Sequence, residues 1–283
     1  MLMSHVSSHS EVTVFARSVF ANLSTKVTRR LTGQRGTIVT DLQEGAVCGI
    51  DGCAPGDIGS TTKARTSVKK NLSIHIISDA ICPWCWVAKR RLDRTLASLA
   101  PDIVANVTWH PFELNPGMPK AGLDRRAYRS RKFGSWEHSQ ALDAQVAATA
   151  KPDGLDFRHD RMERTPNTID AHRLIWLAGR EGDQDDVVEA LFAAYFHDGR
   201  DVGDAAVLAD IGAQAGLDRG RVDAMLASDQ GLAEVNSALE RAAKLQVSVV
   251  PTVLVDGVAL FSGAIRSELM ETHLRRAAGH ARI

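Results

Sequence analysis

The stretch SDAICPWCWVAKRR, Ser78 to Arg91, sets Cys82 and Cys85 three positions apart with Pro83 and Trp84 between them. Such a pair is a redox dithiol, half of a metal site, or two buried thiols, and its surroundings weigh these. Just before it, NLSIHIISD (71–79) is apolar, β-branched and about one strand long. After it, Cys85, Ala88, Leu92, Leu96 and Leu99 recur on one helical face, and Pro101 lies past the helix end. Cys82 therefore falls where a strand gives way to a helix. Pro83 takes the first helical position, where a missing N–H costs nothing. The unpaired N–H groups of the first turn and the helix dipole favour a thiolate at Cys82. A lowered pKa would raise its nucleophilic fraction at neutral pH. Cys85, one turn on and within the apolar stripe, is expected to be more buried and less acidic. That asymmetry suits one attacking thiol and one that resolves a mixed disulfide.

Working outward, VANVTWHPFEL (104–114) reads as a second strand, with Val107 and Trp109 on one side and Thr108 and His110 on the other. Strand, helix, strand is a crossover unit and favours parallel pairing. From about 120 to 246 the pattern is helical and punctuated by glycines. Asn167 or Thr168 caps a helix carrying Ala171, Leu174, Ile175 and Ala178, and Gly179 or Gly182 ends it. Val187, Leu191 and Ala194 mark the next helix, which stops near Gly199. Leu208, Ile211 and Ala215 mark another, closed by Gly216; Val235, Leu239 and Ala242 mark a last one. TVLVDGVALFSG (252–263) is two apolar runs joined at Asp256-Gly257, a hairpin signal. IRSELMETHLRRA (265–277) closes the pattern as a helix. No internal repeat of fixed period is present.

Pro251 opens the first hairpin strand, in VSVVPTVLV. A proline cannot donate to a sheet ladder and belongs at a strand's first residue or edge. The sequence does not show the isomer of the bond before it. A strand entry beside the cysteine helix would leave backbone groups of Val250 free for an extended peptide.

Composition excludes several classes. The chain has 283 residues, 44% hydrophobic and 24% charged, with no formal net charge, so no overall field draws nucleic acid or an anionic membrane. No apolar run reaches the length of a membrane span. The cysteines are Cys48, Cys53, Cys82 and Cys85, too few for a disulfide scaffold of this length. They fit a reducing compartment, so the cytoplasm is the expected location. Residues 1–70 carry a net charge of +4, and the first 40 hold one acid, Glu11, among many Ser and Thr. That resembles a transit peptide and makes an organelle the alternative. Residues 54–70 read as a linker.

Beyond the CPWC, the pieces WHPFELNP (109–116), RTPNTIDAHRL (164–174), LFAAYFHDGRDV (191–202), VLADIGAQAGLD (207–218) and VPTVLVDG (250–257) occur in order. Over about residues 72–278 the chain resembles the DsbA-type branch of the thioredoxin superfamily, and within it the FrnE-like group of thiol oxidoreductases. The resemblance implies an α/β, thioredoxin-like fold with a large all-helical insertion between the strand-helix-strand half and the C-terminal hairpin-helix half. The expected division is a disordered or targeting extension over 1–70, a discontinuous thioredoxin-like domain over 71–119 and 247–283, and an inserted helical domain over 120–246. Position by position, it implies that Cys82 attacks, that Cys85 resolves, and that Pro251 is a cis-proline opposite them. Pro83 and Trp84 become the dipeptide that tunes redox potential. Val250, Pro251, Pro83 and Trp84 would contact substrate. Val249 departs from the family, standing where many relatives have glycine, and its side chain would narrow the substrate edge. The implied activity is thiol:disulfide oxidoreduction on protein or low-molecular-weight thiols, without metal or organic cofactor.

Other readings compete. Kappa-class glutathione transferases and 2-hydroxychromene-2-carboxylate isomerases share the fold, but commonly carry serine at the attacking position and need no resolving thiol. A non-enzymatic module with a four-thiolate zinc site from Cys48, Cys53, Cys82 and Cys85 is disfavoured because Cys82 opens an amphipathic helix. Cys48 and Cys53 form an accessory disulfide or have no role. Trp86 is expected to pack, and Lys89, Arg90 and Arg91 to form a solvated face. Asn167 and His172 are either a polar lining near the cysteines or a helix cap and a satisfied imidazole.

Overall fold

The computed structural model describes residues 69–280. The crossover unit is β1 (Lys70–Ser78), α1 (Pro83–Leu99) and β2 (Ile103–Pro111). The two strands pair in parallel, from Lys70 opposite Ile103 to Ser78 opposite Pro111. β2 ends at Pro111, earlier than the apolar pattern suggests. Pro111 has no N–H to carry the ladder on. Phe112 N–H still reaches the Ser78 carbonyl at 2.9 Å, and Leu114 N–H turns instead to the Asp79 carboxylate at 2.7 Å.

The sheet runs β2-β1-β5-β6, with β5 (Thr252–Val255) antiparallel to β1 and β6 (Val258–Ser262) antiparallel to β5. The hairpin turns at Asp256 (φ 50°) and Gly257 (φ 80°), the two positive φ values of a type I′ turn. A helix over Ser267–His280 follows.

Between β2 and β5 lie seven helices among the described residues. They are α2 (Arg125–Phe133), α3 (Trp136–Ala150), α4 (Ile169–Glu181), α5 (Gln184–Phe192), α6 (Ala205–Gln214), α7 (Arg219–Leu226) and α8 (Leu232–Lys244). The closing helix is then α9. Gly182 ends α4, and a π-helical segment over Ala193–His197 continues α5 toward Gly199. The block is not purely helical, which corrects the expectation. β3 (Leu123–Asp124) and β4 (Arg164–Thr165) form a short antiparallel pair. Gly122 permits it: its φ is +65°, and a Cβ there would lie 2.8 Å from the Thr165 carbonyl oxygen.

The stripe on α1 is buried as its spacing requires, with Cys85, Ala88, Leu92 and Leu99 inside the core. Each large apolar side chain so buried contributes about 1.5–3 kcal/mol. Trp86 packs, with its ring centroid 5.0 Å from that of Phe157 and 5.9 Å from that of Phe196, and its Nε1 donates to Glu189 at 3.0 Å.

The basic run is not a solvated face. Lys89 is only 4% exposed, and its ammonium meets Asp185 at 2.7 Å and Asp93 at 3.0 Å. Arg90 pairs with Glu189 at 2.5 Å, and Arg91 with Asp153 at 2.8 Å. The helical block covers this side of α1 and supplies most of those acids from α5 and the turn after α3. Partners 60 to 100 residues away leave no local trace in the sequence. The same block guards the sheet edge: Gln184 accepts the Trp109 backbone N–H at 3.0 Å, and Asp185 accepts the Trp109 indole N–H at 3.1 Å.

Candidate active site

Cys82 is the residue before the first turn of α1, with extended backbone (φ −90°, ψ 110°), and Pro83 begins the helix. Its amide donates to the Asp79 carbonyl at 3.0 Å, and its own carbonyl accepts the Cys85 N–H at 3.0 Å. These two bonds close the turn that joins β1 to α1. Both cysteines are free thiols; Cys85 is fully buried and Cys82 is 3% exposed. Pro83 and Trp84 are partly exposed at the helix start.

The chain just ahead of β5 comes up against this turn. The Cys82 thiol donates to the Val250 carbonyl at an S···O distance of 3.7 Å. The Val250–Pro251 peptide bond is cis. The Val250 carbonyl is therefore taken by the thiol rather than free. Thr252 Oγ1 donates to the Val249 carbonyl at 2.6 Å, fixing the residue before, and the Val249 side chain is 42% exposed. The structure thus gathers Cys82, Cys85, Pro83, Trp84, Val250 and Pro251 at one place.

The acidic thiol expected at Cys82 is not what its surroundings produce. Burial pushes its pKa well above the ordinary thiol value; the neighbouring Cys85 thiol and the charge of Asp79 push the same way. The Cys85 backbone N–H, a donor of the first turn, opposes them with a smaller effect. Helix-end donors favour an anion, but they cannot outweigh loss of water around the sulfur.

Asp79 was not singled out in the sequence. It is fully buried, three residues before Cys82, with its Oδ2 accepting the Leu114 N–H at 2.7 Å and its Oδ1 the Ile81 N–H at 3.3 Å. Burial raises its pKa from 3.8 to about 6, against the lowering effect of those N–H donors and of Thr168. Its signal was available: an acid inside the turn between a buried strand and a helix has only backbone N–H groups to satisfy it.

His172 Nε2 lies 2.9 Å from the Phe112 carbonyl and 3.7 Å from Asp79 Oδ1. Burial lowers its pKa to about 4, so it is neutral and its Nε2–H donates to Phe112. Asn167 Nδ2 donates to the Met118 carbonyl at 2.9 Å, and its Oδ1 accepts the Ile169 N–H at 3.0 Å. His172 is a satisfied core imidazole beside Asp79, and Asn167 ties the start of α4 to the loop after β2. Cys48, Cys53 and the N-terminal extension lie outside the described residues. Among the described residues, no three His, Cys, Asp or Glu side chains are grouped to hold a metal ion, and no helix is long and apolar enough to cross a membrane.

Known proteins resemble the chain in sequence and fold. A family model described as a DSBA-like thioredoxin domain covers residues 73–275. The crystal structure of a probable DsbA oxidoreductase from Streptomyces coelicolor is 32% identical, with a TM-score of 0.69, over 75% of this chain and 92% of that one. The cytosolic disulfide reductase DsbM from Pseudomonas aeruginosa, solved with GSH, has a TM-score of 0.51 at 16% identity, over 72% of this chain and 100% of that one. An uncharacterised protein of Bacillus subtilis, YwbO, is 24% identical over 199 residues, 70% of this chain and 93% of its own. The family match supports a thiol–disulfide oxidoreductase or isomerase of the thioredoxin superfamily. By its sequence and its fold, the chain belongs to the DSBA-like thioredoxin domain family.

Proposed function

We propose that the protein is a thiol:disulfide oxidoreductase of the FrnE-like group, working through Cys82 and Cys85 without metal or organic cofactor. The observation that carries this reading is the seating of a free Cys82 thiol at the head of α1, 3.7 Å from the carbonyl of the residue before a cis-proline. Cys85 lies one turn behind, fully buried, where it reaches the Cys82 sulfur and not the solvent.

The exchange balances as follows. The Cys82 thiolate attacks one sulfur of a substrate disulfide, forming a mixed disulfide and expelling the other sulfur as a thiolate, which takes up a proton. Cys85 then loses its proton and attacks the Cys82 sulfur. The second substrate thiolate leaves, and the Cys82–Cys85 disulfide remains. The substrate gains two electrons and the protein loses them; run backwards, the same steps oxidise a substrate dithiol. Its potential relative to the compartment sets the direction.

Because the Cys82 thiol is high-pKa in the closed resting state, substrate must displace the Val250 contact. The Val250 carbonyl is then released to the substrate backbone, in the manner of strand addition. Pro251, Val250, Pro83 and Trp84 form the contact surface, with Val249 as its rim. The substrates are protein or low-molecular-weight thiols and disulfides, the location is the cytoplasm, and nucleic acid and membrane are not partners. In this reading residues 71–119 and 247–283 are the redox domain, and 120–246 is an insertion that covers α1. A Cys82→Ser variant that kept full disulfide exchange would refute the assignment. Isomerase turnover with saturable glutathione binding in a Cys85→Ala variant would favour the glutathione-dependent alternative.

A further inference from the structure

A 460 Å³ cavity, the size of a small-molecule site, lies among α3, the start of α2 and the chain over 157–162. Trp136, Phe157 and Met162 give it apolar walls, and Arg125, Gln140 and Asp143 give it a polar side. None of the residues gathered around Cys82 lines it, so it is a place apart from the dithiol.

The charges there do not balance. Arg125 and Arg129 donate to the two oxygens of one carboxylate, Asp143, at 2.7 Å each. Asp143 is buried, and Arg125 is 2% exposed. Two guanidiniums thus share one counter-charge where little water screens them, and charges act strongly on each other in such surroundings. His159 adds no negative charge. Its Nε2 is 3.8 Å from Asp143, and burial lowers its pKa to about 4, with Arg125 and Arg129 adding to the lowering against Asp143. The other acid on the cavity, Asp160, is held through both oxygens by Arg158, at 3.1 and 2.9 Å. Burial lowers the pKa of Arg129 as well, and against Asp143 the charge of Arg125 adds to the effect.

Arg125 is also short of acceptors. Its Nη2 donates to Asp143, while its Nε and Nη1 have no hydrogen-bond partner among the described residues. Donors of an enclosed guanidinium are costly to leave unmade. The surplus charge and the free donors belong to the same side chain, and that side chain lines the cavity.

We propose that this cavity binds an organic monocarboxylate. The carboxylate takes the free donors of Arg125 and the amide of Gln140, and its hydrocarbon body lies against Trp136, Phe157 and Met162. One surplus positive charge calls for one carboxylate, and the apolar walls suit a hydrocarbon body better than a small hydrated anion. The site goes beyond the dithiol reading and does not depend on it.

Calorimetric titration of the full chain with benzoate, and with benzamide as its neutral counterpart of the same shape, tests the site. Benzoate is expected to bind saturably, and benzamide at least tenfold more weakly. Gln140→Glu puts a negative charge on the cavity wall and is expected to weaken benzoate at least tenfold. Gln145→Glu, on α3 but outside the lining, is expected to keep its affinity within twofold. Ala144→Phe fills the cavity and should abolish binding. All three positions are exposed on α3, so the fold is kept. No binding of benzoate to the wild type, equal affinity for benzamide, or an equal effect of the two glutamates overturns the site, as does full binding in Ala144→Phe.

Discussion

The sulfur of Cys82 and the carbonyl oxygen of Val250 are 3.7 Å apart, although 168 residues separate them in the chain. The contact ties the start of α1 to the entry of β5 across the whole helical block. It also makes Cys82 a hydrogen-bond donor, a role open to the thiol and closed to the thiolate. Under the proposed mechanism, the reactive form is therefore produced on engagement of substrate, not stored in the resting state.

The two cysteines are predicted to fail differently. Cys82→Ser removes the nucleophile and abolishes exchange. Cys85→Ala keeps the first attack but has no thiol to resolve it, so the mixed disulfide at Cys82 accumulates and is seen as an added substrate mass. Mass spectrometry after reaction with a small disulfide checks this; an adduct on Cys85 in Cys82→Ser, at the wild-type rate, would reverse the roles.

Asp79 acts on Cys82 through its charge. Its carboxylate raises the pKa of the thiol, so replacing it by neutral Asn is predicted to lower the pH at which Cys82 becomes reactive. The pH profile of Cys82 alkylation in the Asp79→Asn variant reports this. A midpoint that stays put or moves up contradicts the electrostatic account. Circular dichroism guards against misfolding, because Asn satisfies only one of the two backbone N–H groups that Asp79 accepts.

Asp79 and His172 pull stability in opposite directions with pH. Asp79 has a folded pKa of about 6 against 3.8, so the unfolded chain releases its proton first, and stability falls as pH rises between those values. His172 has a folded pKa of about 4 against 6.5, so the unfolded chain takes up its proton first, and stability falls as pH drops from 6.5 to 4. Each swing is on the order of 3 kcal/mol at full extent. His172→Gln keeps a donor for the Phe112 carbonyl but does not titrate. The difference in unfolding free energy, variant minus wild type, should grow in the variant's favour as pH falls from 6.5 to 4. Urea titrations across that range decide it, and a pH-independent difference would remove His172 as the cause.

Asp153 holds α1 to the helical block. It is 8% exposed and binds both Arg91, at 2.8 Å, and Arg94. Asp153→Ala leaves the Arg91 guanidinium enclosed without a carboxylate and should cost about 3 kcal/mol. Arg94 is half exposed and reverts to water, so Arg94→Ala should cost about 0.5 kcal/mol or less. Equal losses in the two variants would mean that burial does not govern this pair.

Where side chains answer to their own helix or strand, the sequence was readable. The stripe from Cys85 to Leu99, the Asp256-Gly257 turn and the break at Gly182 depend on spacing and local φ, and each lies where it was expected. What escaped depends on distant partners. Lys89, Arg90 and Arg91 look like a solvated run until α5 and the turn after α3 bring Asp185, Glu189 and Asp153 over them. The raised pKa of Cys82 escaped in part for the same reason: the helix end that favours a thiolate is a local feature, whereas the strand entry at Val250, which comes up against the buried sulfur, is 168 residues away. α2 has almost no apolar periodicity to announce it.

The most direct test of the central claim is a redox titration of the full chain in graded thiol/disulfide buffers, followed by alkylation and location of the free thiols by mass spectrometry. The account predicts that Cys82 and Cys85 lose their free thiols together, with one midpoint, as an internal disulfide. If they never pair with each other at any ratio, Cys82 and Cys85 are not the working dithiol.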